Sequence, residues 1–275
     1  MNNKTEHPLW SVGYVLIFLS IQVLAQAATI AVYALSGDGS GQLTATGTVI
    51  AMALFSLVSI ALFTWAGWSP VPFGRGGSSL RGRLPQKSVL LWSAVAALGA
   101  VIPSLFVQEM LPEWPAEIQR YIDEAEALAG QLMSTRGGYA VVCLLAPVAE
   151  ELVFRGAALR TLLGWQPRRR WLMIVLSALL FAVAHLNPAQ LLHPFVIGLL
   201  LGWMYERTRS VLPGIVYHWA NNTAAYLLYH AYPSSDVTLS DIFGPLGHVL
   251  MAVFFSLLII VPAIVQLNAT MKRPA

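Results

Sequence analysis

Long apolar runs alternate with short polar connections along the whole chain. The runs cover roughly residues 9–35, 44–66, 88–110, 138–162, 170–187, 190–206, 212–232 and 243–267. About 20 residues at 1.5 Å rise each cross a hydrocarbon core about 30 Å thick, so runs of this length predict membrane-spanning helices. The expected fold is all-α: a single integral membrane domain over 1–275, a bundle of about eight transmembrane helices. Between the third and fourth runs the pattern changes. From Trp114 to Met133, Ile118, Tyr121, Ile122, Ala125, Leu128 and Leu132 recur at helical spacing, with Glu117, Asp123, Glu124 and Glu126 between them. This stretch predicts an amphipathic helix on the outer face, capping the bundle or resting on lipid headgroups. Ala25-Gln26-Ala27 has the small residues of a signal-peptidase site, but the apolar run continues to Leu35, which predicts an uncleaved span. The sequence has no internal repeat of the kind many transporters carry.

Composition agrees with the pattern. Charged residues make up 11% of the 275 residues and hydrophobic ones 57%, against about 25% charged in an average globular protein. The single cysteine, Cys143, lies inside an apolar run and leaves no disulfide framework or cysteine metal cluster to consider.

The charges that remain set an orientation. Arg75, Arg81, Arg83 and Lys87 fall in one loop, Arg160, Arg168, Arg169 and Arg170 at another, Arg207 and Arg209 at a third, and Lys272 and Arg273 at the end. These are alternate loops, as an even number of spans requires. The opposite loops hold Asp38, the acidic segment from Glu109 to Glu126, Asp236 and Asp241, with only Arg120 and Arg136 as cations. The positive-inside rule then puts both termini in the cytoplasm. The net charge of +3 reflects this loop bias and gives no reason to expect nucleic-acid binding. The run Gly74-Arg75-Gly76-Gly77-Ser78-Ser79 reads as a cytoplasmic loop; it lacks the lysine and threonine of a phosphate-binding loop.

Against this background Pro147-Val148-Ala149-Glu150-Glu151-Leu152-Val153-Phe154-Arg155 stands out, because it places three ionisable side chains inside a span. A charge at bilayer depth costs about 2.5 to 3.5 kcal/mol on insertion scales, so such residues are read as functional by default. Glu151 and Arg155 are four apart, share a helix face and can neutralise each other. Glu150 is rotated about 100° away and is left for other partners. Pro147 deprives the Cys143 carbonyl of its helical donor, which predicts a kink just before the glutamates.

Two further pairs have the same spacing: Phe181 with His185 in the fifth run, and His218 with Asn222 in the seventh. Helical rise puts Glu150, His185, His218 and Asn222 in the middle of the bilayer or its arginine-rich half, where they can converge. A carboxylate can take a proton from water, an imidazole can assist or donate to an oxyanion, and an amide adds a donor that never titrates. Together these are the parts for adding water to a carbonyl. No hydroxyl or thiol stands beside a histidine at matching depth, so nucleophilic catalysis has no candidate. His193, His230 and His248 lie near span ends and read as hydrogen-bonded packing residues. Gly198 and Gly202 predict a close helix contact.

Glu-Glu-x-x-x-Arg, Phe-x-x-x-His and His-x-x-x-Asn, in that order on three separate apolar helices, resemble the motifs of the CPBP family of intramembrane proteases. That family includes the CAAX prenyl endopeptidases and bacterial proteins linked to bacteriocin processing or self-immunity. The resemblance covers Glu150 to Asn222. It implies that Glu150 activates water, that His185 and His218 assist it or hold the oxyanion, and that Asn222 completes the oxyanion hole. Glu151 and Arg155 would brace the site, and Phe181 would shape it, within a catalytic core over 138–232. The implied partner is a peptide or protein substrate in or at the membrane, prenylated or bearing a leader; the implied location is a bacterial inner membrane. A metal-free site is favoured over zinc: there is no His-Glu-x-x-His helix, and a catalytic Glu150 leaves two histidines and an asparagine as ligands. Zinc stays as the alternative. Two other classes of function remain: a proton-coupled transporter, since buried Glu and His also form proton relays, and a non-catalytic immunity or scaffold protein.

Overall fold

The computed structural model describes residues 7–35, 44–69, 85–111, 114–188, 191–232 and 237–271, and every regular element among them is helical. The apolar runs become α1 (Leu9–Leu35), α2 (Ala45–Trp65), α3 (Lys87–Glu109), a composite fourth segment, α7 (Arg170–Ala184), α8 (Leu192–Thr208), α9 (Leu212–Ala231) and α11 (Leu246–Thr270). By length and apolar composition α1, α2, α3 and α11 can each cross a membrane. The central segments are shorter or more polar and sit against these four. α1 runs unbroken through Ala25-Gln26-Ala27. A short α10 (Leu239–Phe243) is held by reciprocal bonds between Thr238 and Asp241, which occupy the capping position and the third residue beyond it.

The fourth segment is not one α-helix. A π-helical stretch, Ala140–Leu145, leads into α5 (Ala146–Glu151), a second π-helical stretch, Leu152–Leu159, follows, and α6 (Arg160–Trp165) ends it. Pro147 supplies no N–H and its ring crowds the Cys143 carbonyl. The expected kink takes the form of a widened turn, in which the Ala146 N–H reaches back to the Val141 carbonyl. Wide turns of this kind recur at functional sites because they re-aim side chains without ending the helix.

Four contacts define the ends of the bundle. Ser11 Oγ donates to the Ala158 carbonyl at 3.1 Å, Arg170 Nη1 to Glu206 Oε1 at 2.8 Å and Arg207 Nη2 to the Asn268 carbonyl at 3.2 Å. The start of α1 and the end of α11 therefore share one end with the arginines of α6, α7 and α8. At the other end the Leu239 N–H donates to Glu109 Oε1 at 2.6 Å. Lys4, Asp38, Gly74 to Ser79, Arg81, Arg83, Asp236, Lys272 and Arg273 lie outside the described residues.

Close packing of α7 on α8 follows from the two glycines. A Cβ at Gly198 would stand 2.9 Å from that of Ala178, and one at Gly202 2.9 Å from Ile174 Cγ2, closer than van der Waals contact permits. The amphipathic stretch forms α4 (Ala116–Ser134), which packs on α2 and α9 with Ile122 and Leu132 buried. It caps the bundle, and the Tyr121 hydroxyl donates to the Leu186 carbonyl at 2.7 Å.

Candidate active site

Three elements bring the polar residues together. Glu151 Oε1 accepts from Arg155 Nη1 at 2.7 Å, and the two side chains are 0% and 1% exposed. α9 presses on the same carboxylate: Gly214 faces it so closely that a Cβ there would overlap Glu151 Oε2. Phe181 holds the centre. The Arg155 guanidinium carbon lies 4.3 Å from its ring centroid, and the rings of His185 and His218 meet it edge-on at 4.8 and 6.0 Å.

Glu150 points elsewhere, as its rotation around the helix requires. It keeps 20% of its side chain exposed, and its Oε2 lies 3.6 Å from His218 Nε2; His218 Nδ1 is 3.9 Å from Glu151 Oε1. His218 therefore stands between the two carboxylates. His185 Nδ1 is 2.8 Å from the Phe181 carbonyl. A carbonyl only accepts, so that nitrogen carries the proton and Nε2 is the free nitrogen of the neutral ring. Asn222 Nδ2 donates to the Val142 carbonyl at 3.0 Å, which uses one of its two amide hydrogens.

Several buried atoms of this cluster have no hydrogen-bond partner: Glu150 Oε2, Glu151 Oε2, Arg155 Nε and Nη2, and His218 Nδ1. Each such group forfeits about 1 to 3 kcal/mol when shut away from water, so a concentration of them marks a place built for something other than packing. Glu150 and His218, which carry two of these atoms, border a cavity of about 300 Å³ whose lining also includes Phe181, His185, Asn222 and Met133 of α4.

The same lining contains His193 and Gln108, which sequence reasoning missed. His193 was expected to be a packing residue near a span end, a reading that fits His230 and His248, whose Nδ1 atoms bond the Tyr226 and Phe243 carbonyls at 2.9 and 3.2 Å. The missed signal is the short, proline-bearing connection between α7 and α8, which turns the chain back and brings His193 into the cavity that His185 lines. Gln108 and His193 also border a neighbouring apolar cavity of about 220 Å³ between α3, α8, α9 and α11. His185 directly follows α7 at the end away from Arg170, and Gln108 and Met133 lie near the ends of their helices.

Among the described residues no three His, Cys, Asp or Glu side chains cluster so that they could hold a metal ion. Glu151 is committed to Arg155, Glu150 and His218 lie 3.6 Å apart, and His185 and His193 line the same cavity.

Residues 134–224 match the model of one protein family, described as type II CAAX prenyl endopeptidase Rce1-like. No curated protein and no solved structure matches the chain. The matched segment runs from the end of α4 into α9 and contains Glu150, Glu151, Arg155, Phe181, His185, His218 and Asn222. The match supports a membrane peptidase that acts on a peptide substrate. Over these residues the chain is similar to the Rce1-like type II CAAX prenyl endopeptidases, and this likeness supports membership of the CPBP family of intramembrane proteases.

Proposed function

We propose that the protein hydrolyses a peptide bond of a membrane-associated substrate at the cavity between α5, α7 and α9, with residues 138–232 as its catalytic core and no metal in the reaction. The observation that carries this reading is the contrast between the two glutamates: Glu151 is locked by Arg155, whereas Glu150 faces the cavity and His218.

In this mechanism a water beside Glu150 Oε2 and His218 Nε2 gives a proton to Glu150 as its oxygen bonds to the scissile carbonyl carbon. The second hydrogen of that water is held by His185 Nε2, the free acceptor of its ring. The carbonyl oxygen becomes an oxyanion, held by the remaining amide hydrogen of Asn222 and by His218 when Nε2 carries its proton. Glu150 then returns the proton to the amide nitrogen, the carbon–nitrogen bond breaks, and acid and amine leave. Arg155 holds Glu151 in place, and Phe181 sets the planes of both imidazoles.

The apolar cavity beyond Gln108 and His193 is where the apolar part of a substrate, lipid-bearing or helical, would lie while its peptide enters the polar chamber. Membrane peptides from cells carrying wild-type or Glu150→Ala protein, compared by mass spectrometry with and without a chelator, test this reading. Wild type should generate cleaved species that the variant lacks, unchanged by chelation. Identical peptide profiles would sink the proposal, and products lost on chelation would sink its metal-free form.

A further inference from the structure

The structure assigns a second site, remote from the peptidase cavity: a pocket at the arginine-rich end, between the start of α7 and the end of α8, that takes the phosphate headgroup of an anionic phospholipid. A cavity of about 280 Å³ is lined there by Arg168, Arg169, Arg170, Trp171, Trp203 and Glu206, with Leu172 and Ile174 also in its wall. Its one carboxylate is spoken for. Glu206, 5% exposed, accepts from Arg170 at 2.8 Å. Among the described residues neither Arg168 nor Arg169 has a carboxylate partner, and both side chains are exposed. Two arginines are thus left to bind an anion, and guanidinium groups fit phosphate oxygens in pairs.

The apolar half of the pocket says which anion. A free phosphate needs no indole walls, yet Trp171 is 62% exposed and Trp203 stands across from it. Tryptophan favours the headgroup level of a bilayer, where one edge is wet and the ring is not. From the pocket an exposed apolar stripe runs along α7 through Leu172, Val175, Leu179 and Val183. Those spacings of three, four and four residues keep it on one helix face. A phosphate group among the arginines therefore has an acyl track leading from it, which a lipid uses and a soluble anion does not.

Purified wild-type protein and the Arg168→Gln/Arg169→Gln variant are reconstituted in nanodiscs of phosphatidylcholine containing a minor fraction of phosphatidylglycerol, extracted into detergent and examined by native mass spectrometry. Each arginine near a charged lipid surface contributes about 1 kcal/mol, so the double variant should hold phosphatidylglycerol about thirtyfold more weakly. Phosphatidylcholine should not compete, and millimolar inorganic phosphate should not displace the bound lipid. A Trp203→Leu variant, which leaves the charges in place, should also weaken retention. Equal retention by wild type and the double variant would overturn the site. Displacement by inorganic phosphate would overturn its assignment to a lipid.

Discussion

Glu151 and Arg155 form an ion pair at 2.7 Å from which solvent is excluded on both sides. Removing one partner of such a pair strands the other charge, at a cost of about 3 to 5 kcal/mol. Arg155→Ala and Glu151→Ala should both lower the melting temperature sharply, and Arg155→Lys should recover only part of the loss. A fluorescence melting curve of the detergent-purified variants decides the matter. Unchanged melting would mean that the pair does not hold α5 and the following turn in place.

Gly214 should tolerate no side chain. A Cβ there overlaps Glu151 Oε2, and overpacking of a tight interior costs about 1 to 3 kcal/mol. Gly214→Ala should therefore melt earlier and lose activity because Glu151 is pushed from Arg155. Gly164, with nothing within 4 Å of its missing Cβ, is the control position, and Gly164→Ala should leave both properties alone.

Asn222 divides its amide between the Val142 carbonyl and the cavity. Loss of one oxyanion donor typically costs about a hundred- to a thousandfold in kcat. Asn222→Ala should show a fall of that size with little change in KM. An effect confined to KM would place Asn222 in substrate binding instead.

His193 separates two kinds of histidine. His193→Ala should lower kcat/KM, since the side chain lines both the polar chamber and the apolar cavity. His230→Ala and His248→Ala remove bonds to backbone carbonyls and, for His230, ring contacts with Tyr226 and Tyr229, all outside the chamber lining, and should leave kcat/KM unaltered. Three equal rates would show that the chamber does not extend to α8.

Most of the helical architecture could be read from the sequence because runs of apolar residues longer than a bilayer is thick have few other uses. Span boundaries, the cap formed by α4 and the Gly198–Gly202 contact follow from periodicity and residue size. The pairing of Glu151 with Arg155 was legible too, since i,i+4 geometry is local. What stayed hidden depends on tertiary placement. The π-helical turns around α5 come from how Pro147 is accommodated between neighbouring helices, and nothing at the level of residue spacing distinguishes them from a simple kink. His193 and Gln108 enter the chamber only because the α7–α8 turn and the end of α3 converge there.

The division of labour between the adjacent glutamates is tested most directly by one comparison. Purified Glu150→Gln and Glu151→Gln proteins are assayed for cleavage of a substrate peptide that wild type cuts, alongside their melting temperatures. The Glu150→Gln protein should melt like wild type and lose activity by at least about a thousandfold, while Glu151→Gln should melt earlier. A Glu150→Gln protein that still cleaves at a wild-type rate would contradict the account.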